Sequence, residues 1–146
     1  MQLYLSYAEE DEVAGKRLKL ILNPLETHFG FTTWSRQDVC PGGIWQREMA
    51  SHLESAWLFI PLVSTDYLAS KRCEAETTAA LRLEQRKKLR IVSVLLRTCF
   101  LEISPLSAFP ILPHPEKPLT TWNNQDKAWL QVQKGILNIL KSAQLP

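Results

Sequence analysis

Residues 57–63 read Trp-Leu-Phe-Ile-Pro-Leu-Val, seven positions without a charge. The run is too short to cross a membrane as a helix. It suits a strand covered on both faces, as found inside a parallel sheet. Pro61 has no amide to give to a ladder, and the reading places it near the strand's end. On the C-terminal side, Ser64–Ser70 reads as a loop with a short turn. Ser70 then caps a helix reaching about Gln85, and Arg82, Arg86, Lys87 and Lys88 give its far end the positive charge a helix dipole favours. On the N-terminal side, a helix from about Ile44 to Ser55 carries Ile44, Met49 and Leu53 at helical intervals.

The same alternation extends to both ends of the chain. Gln2–Tyr7 reads as a first strand. The acids Glu9, Glu10, Asp11 and Glu12 then open a helix whose apolar face runs from Val13 to Leu25, with Pro24 limiting its length. Gly30 marks a turn before a second strand, Phe31–Ser35, and Arg36–Gly43 is a loop punctuated by Pro41, Gly42 and Gly43. Leu89–Leu96 is a fourth strand. Five of the nine prolines fall between Pro105 and Pro118, which predicts a long irregular connection. Leu119–Trp122 reads as a short last strand. Gln125–Leu140 reads as a closing helix with Trp129, Val132, Ile136, Ile139 and Leu140 facing inward. Alternating strands and helices predict an α/β fold, a parallel sheet with helices on both faces, with ligands bound beyond the carboxyl ends of the strands.

The composition agrees with a single domain over residues 1–146: 45% of residues are hydrophobic and 22% charged. Seventeen Lys and Arg against fifteen Asp and Glu leave a formal charge of +2, a weak footprint for nucleic acid. The basic stretch Arg82–Arg90 is accounted for by its place at a helix end. Cys40, Cys73 and Cys99 form no paired spacing, so neither a disulfide framework nor a metal site is expected. With no signal peptide or membrane span in the pattern, a cytoplasmic location is expected. Phosphate-cradling glycine loops, a nucleophile elbow and zinc-protease spacing are absent, and His28, His52 and His114 are dispersed.

Residues at the expected carboxyl ends of strands are therefore the candidates. Ser6, Tyr7 and Ala8 follow the first strand; Trp34, Ser35, Arg36 and Asp38 the second; Ser64 and Asp66 the third. In the next helix, Glu76 neighbours Cys73, Ala79, Ala80 and Leu83 at helical spacing, whereas Glu74 neighbours Lys71, Thr77 and Thr78. Glu76 thus turns toward packed surface near the strand ends; pairing with Arg72 on the helix surface is the plainer alternative.

Several segments in this order carry a resemblance: LYLSYAEED, GFTTWSRQDVCPGGIWQREMASHLESA, FIPLVSTDYLASKRCEAE, IVSVLLRTC and WNNQDKAW. Together they resemble a Toll/interleukin receptor (TIR) domain of the bacterial effector type over nearly the whole chain. The resemblance implies a flavodoxin-like five-stranded parallel sheet and, as in many bacterial and plant members, cleavage of NAD as a substrate, with no cofactor or metal. It assigns the catalytic role to Glu76, which closes the segment Cys73-Glu74-Ala75-Glu76. Arg72 stands where many members carry tryptophan, which bears on how the nicotinamide side of the pocket is built.

The resemblance also implies substrate contacts from Tyr7, Trp34, Arg36, Asp38, Trp45, Arg72 and Cys73. For Trp34 and Trp45, packing stands beside ring stacking; for Arg36, solvation stands beside phosphate binding. It further implies self-association through the Arg36–Trp45 loop and a trigger held by a sensor domain or partner chain. A non-enzymatic adaptor, which would use the fold only for TIR–TIR contacts, is the alternative function.

Overall fold

The computed structural model describes residues 1–144. Its strands are β1 (Gln2–Ser6), β2 (Thr32–Trp34), β3 (Ala56–Val63), β4 (Arg90–Ile91), β5 (Ser93–Leu95) and β6 (Ile111–Leu112). They lie in the order β2-β1-β3-β5-β6, with β4 also paired to β3, and every pairing is parallel. β4 and β5 are the two halves of the expected Leu89–Leu96 strand, so the sheet is five strands wide. Both outermost strands are short: β2 has three residues and β6 has two.

The break between β4 and β5 explains how a proline sits inside the central strand. The Phe59 carbonyl accepts from the Val92 amide at 3.1 Å, so Phe59, Pro61 and Val63 turn their peptide groups toward that neighbour. The donor that Pro61 lacks falls beside Val92, where the neighbouring strand is interrupted. No ladder bond is forfeited on the β1 side.

The helices are α1 (Glu12–Phe29), α2 (Trp45–Ser55), α3 (Thr65–Ala69), α4 (Lys71–Gln85) and α5 (Gln125–Gln144). The two-residue period of the strands divides the core. Leu3, Leu5, Leu58, Ile60, Leu62, Val92 and Val94 pack against Leu18 and Leu22 of α1 and Val132, Ile136 and Leu140 of α5. Tyr4, Phe59, Val63, Ile91 and Leu95 face Leu53 of α2, Tyr67 of α3 and Cys73, Ala80 and Leu83 of α4. The fold is α/β with a flavodoxin-like arrangement.

Four sequence expectations are corrected. Pro24 does not end α1, which continues to Phe29 and stops where Gly30 adopts a left-handed φ of 73°. Pro24 and Leu20 both lie on the exposed face, so the carbonyl that Pro24 leaves unpaired can be hydrated. The segment after β3 contains the short helix α3, because the Ser64 hydroxyl accepts the Tyr67 amide at 3.1 Å and caps it. The proline-rich connection contributes β6, since Pro110 retains its carbonyl and accepts the Ser93 amide at 2.9 Å. Leu119–Thr121 is a 3-10 turn rather than a strand: the Thr121 and Trp122 amides fold back onto the Pro118 and Leu119 carbonyls.

Candidate active site

The chain leaves β1 toward β2 on one side and returns to β3 on the other. The crevice beyond the carboxyl ends of β1 and β3 is therefore the point where the strand order reverses, the usual place for a ligand in an open α/β sheet. α4 carries Glu76 into this region. Its first turn is fixed by Ser70, whose hydroxyl accepts the Cys73 amide at 3.2 Å. Two turns of helix geometry then point Cys73, Glu76, Thr77 and Ala80 inward.

The Glu76 side chain is only 2% exposed. Its Oε2 accepts from the Tyr4 hydroxyl and its Oε1 accepts from the Ser6 hydroxyl at 3.1 Å. Tyr4 and Ser6 are two residues apart on β1, so both point to the same face of the sheet. Ser6 spends its single proton on Glu76 and must accept from the Tyr67 hydroxyl, 3.0 Å away. Tyr67 in turn accepts from Thr77 at 2.9 Å. A directed chain of hydroxyls thus runs from Thr77 through Tyr67 and Ser6 to the carboxylate.

Burial pushes the Glu76 carboxyl above the ordinary carboxylate range, and it outweighs the lowering by Tyr4, Arg72, Ser6 and Arg36. Burial likewise raises the Tyr4 phenol, and the adjacent Glu76 raises it further. Tyr67 is pushed well up for the same first reason. The buried Cys73 thiol is also raised by desolvation, so it is held as a thiol rather than an activated thiolate.

Above this buried group lies a polar pocket of about 320 Å³, lined by Glu9, Glu10, Arg36, Asp66, Ala69, Ser70 and Arg72. Arg72 belongs to both levels. Its Nε lies 3.9 Å from Glu76 Oε1, and its terminal NH₂ donates to the Tyr7 carbonyl at 3.2 Å. The pairing of Arg72 with Glu76 is therefore present, but beneath the surface rather than on it. The Tyr7 ring is buried against Gly15, where an added Cβ would come within 2.7 Å of Tyr7 Cε1. Tyr7 reaches the site through its backbone. A second hollow of about 320 Å³, on the other side of α4 between Tyr67, Leu81 and Leu106, contains only the exposed Glu74 as an acid.

Three expected site residues lie elsewhere. Trp34 is 4% exposed, stacked on His52 with ring centroids 4.4 Å apart and tilted against Tyr4 at 4.9 Å, and it does not line the pocket. Asp38 caps its own turn, accepting from the Ser35 amide at 2.9 Å, and pairs with Lys19 at 2.8 Å. Burial raises its carboxyl, yet Lys19 and Ser35 together outweigh that and hold it low. Trp45 begins α2, half-buried, with its Nε1 unpartnered. The loop before it, which ends at the exposed Ile44, lies apart from the pocket lining except for Arg36.

The sequence reading did not single out Tyr4 or Tyr67 as members of this site. The signal for Tyr4 is the strand period, which places i and i+2 on one face and so puts Tyr4 beside the candidate Ser6. A further cluster joins two of the strand-end candidates, Ser64 and Asp66, to Asp11 and Arg97. Asp11, 5% exposed, accepts from Ser64 at 2.5 Å and from Arg97 at 2.6 Å, and Arg97 also reaches Asp66 at 2.6 Å. These four residues tie together the segments that follow β1, β3 and β5. Among the described residues, no three His, Cys, Asp or Glu side chains gather to hold a metal ion, and no helix is long and apolar enough to cross a membrane.

Comparison with known proteins gives this geometry its relatives. An uncharacterized protein of Sinorhizobium fredii, y4lF, is 27% identical over 135 residues; these span 92% of this chain and 42% of that protein's length. The TIR domain of the Toll-related receptor TRR-2 from Hydra magnipapillata superposes with a TM-score of 0.63 at 16% identity, covering 95% of this chain and 97% of that one. The TIR domains of the activated Roq1 resistosome, which directly recognizes the pathogen effector XopQ, give a TM-score of 0.65 at 13% identity. They cover 92% of this chain and 98% of that one. At these identities the structures speak to the fold alone. A family model described as TIR domain matches residues 3–132, nine-tenths of the sequence, and the chain belongs to the TIR domain family.

Proposed function

We propose that the chain is a TIR-class NAD glycohydrolase or cyclase in which Glu76 is the essential carboxylate. The observation that carries this reading is the position of Glu76: a nearly dry carboxylate at the strand-order reversal, directly under a polar pocket with two arginines. Breaking the nicotinamide–ribose bond of NAD expels nicotinamide as a neutral ring. No general acid is needed for the leaving group, unlike ordinary glycoside hydrolysis with its two carboxyl groups. A single ionised carboxylate in a low-dielectric site can stabilise the oxocarbenium-like ribose that develops. Arg36 and Arg72 supply the positive charge a diphosphate requires, and Glu9 and Glu10 supply acceptors for ribose hydroxyls. Water attacking the sugar yields ADP-ribose and releases its proton to solvent; attack by the adenine ring yields a cyclic product.

A bacterial immune effector acting in the cytoplasm is the setting this reading favours, switched on by self-association through the Arg36–Trp45 loop. The signal would come from a sensor domain or partner chain. The match to y4lF, in which this chain spans under half the length, supports a parent protein with further parts.

One observation favours the adaptor reading. Both Glu76 oxygens are already engaged, which is what a carboxylate that merely pins α4 to β1 would look like. Incubation with NAD at low and high protein concentration, followed by product separation, decides between them. The enzyme reading expects nicotinamide release that rises faster than protein concentration and disappears in Glu76→Gln. Intact NAD beside a folded, assembled protein would leave the adaptor.

A further inference from the structure

We propose that Arg72 is a plug: anchored on the Tyr7 carbonyl and seated against Glu76, it forms the floor of the polar pocket, and the carboxylate meets a ligand only when this side chain swings out. The proposal deepens the reading of Glu76 as the functional carboxylate and rests on it.

Two exposures carry the argument. Arg72 keeps 25% of its side chain in contact with solvent, while Glu76 beneath it keeps 2%. Arg72 lines the pocket and Glu76 does not. From below, Tyr4 and Ser6 occupy Oε2 and Oε1 from β1, leaving the Arg72 side as the approach from the pocket. The guanidinium is not locked by an ideal ion pair. At 3.9 Å, Nε is beyond hydrogen-bond length from Oε1, and that buried Nε has no other partner. What holds the side chain over the carboxylate is the bond of its terminal nitrogen to Tyr7 O, at 3.2 Å.

Removing that bond costs the closed position one charge-assisted contact, while the opened guanidinium is rehydrated in the pocket among Glu9, Glu10 and Asp66. These three carboxylates give the displaced cation somewhere to go. An incoming anionic group would stabilise the same outward position, because Arg36 stands on the same pocket wall. The closed form thus protects a costly buried carboxylate, and the open form exposes it together with a second cation.

The test reads accessibility of Glu76 without any substrate. Native protein, Arg72→Ala and Arg72→Gln are treated with a water-soluble carbodiimide and glycinamide, and amide formation at Glu76 is quantified by peptide mass spectrometry. The exposed Glu74 serves as the internal standard, and circular dichroism verifies folding. Modification of Glu76 relative to Glu74 is expected to rise roughly tenfold or more in Arg72→Ala, the effect of losing one charge-assisted hydrogen bond. Arg72→Gln, which keeps most of the stem but not the charge, is expected to fall between. Equal modification in all three folded proteins overturns the plug. NAD turnover is measured on the same samples. Increased modification with no turnover in any of them leaves the plug standing and removes the NAD-cleavage reading. A tenfold loss of kcat/KM in Arg72→Ala without increased modification overturns the plug and leaves Arg72 only its part in binding the diphosphate.

Discussion

The Tyr4 hydroxyl, on the first strand, donates to Oε2 of Glu76, 72 residues further along the chain. That bond joins the central sheet to α4 and favours the ionised form of the candidate catalytic group, against the larger opposing effect of burial. Because burial holds the Glu76 carboxyl above its ordinary range, the folded protein binds a proton there at pH values where the unfolded chain has lost it. Glu76 thus favours the native state fully below the ordinary carboxylate range, and this contribution is lost as pH rises through the elevated folded value. Denaturant titrations of native protein and Glu76→Gln across this window should show the variant gaining relative stability with rising pH. Nicotinamide release, which needs the ionised form, should show its acidic limb at higher pH than a free carboxylate would. Glu76→Gln should lower it by roughly a hundredfold or more.

Arg97 holds two carboxylates at once, and they are not equivalent. Asp11 is buried, while the Asp66 side chain is 41% exposed. Arg97→Ala leaves Asp11 with Ser64 as its remaining partner and should cost about 1–3 kcal/mol. That is below the cost of breaking a fully buried pair, because 42% of the Arg97 side chain already meets water. Asp66→Ala should cost no more than about 1 kcal/mol. Chemical unfolding of the two variants should therefore rank them in that order.

Ile44 separates folding from assembly. It occupies the N-cap of α2, is 51% exposed and supplies no side-chain cap. Ile44→Ser gives the free amides of α2 an acceptor and should raise stability by about 1 kcal/mol. If the Arg36–Trp45 loop joins copies, the same change removes an exposed apolar contact. The variant should then melt higher while losing the concentration dependence of nicotinamide release. Thermal melts and turnover at two protein concentrations check both halves.

Gly15 tests how the end of β1 is held. A methyl there collides with the Tyr7 ring at 2.7–2.8 Å. Overpacking of this kind costs about 1–3 kcal/mol, against about 1 kcal/mol gained by replacing glycine in a helix. Gly15→Ala should come out net destabilising in equilibrium unfolding. Because Arg72 is anchored on the carbonyl of the displaced residue, carbodiimide modification of Glu76 relative to Glu74 should also rise in the folded variant.

Sequence signals are local, and tertiary neighbours are not. Central elements were legible because apolar period and capping chemistry are local: Trp57–Val63 and Ser70 sit where the sequence puts them. Glu76 was legible by its small, apolar neighbours at helical spacing. Its partners were not, because Tyr4 and Tyr67 are brought to it by strand register and by a short helix whose cap, Ser64, looks like any loop serine. Pro24 and Pro110 misled for one reason: the disruption by a proline depends on whether its neighbours' freed groups meet water or an edge, which the sequence does not state. Aromatic residues at strand ends give equal support to stacking on a ligand and to packing, and Trp34 lies buried against Tyr4 and His52.

The brevity of the outer strands limits how copies can join. A partner approaching β2 or β6 finds three or two residues of ladder, too little to seed a continuous intermolecular sheet. Any association must therefore use loops and helix faces. Such joints are made of side chains, so they can be weakened or re-aimed one residue at a time without disturbing the sheet. Clustering could then be adjusted by single substitutions while the carboxylate between β1 and α4 stays where it is.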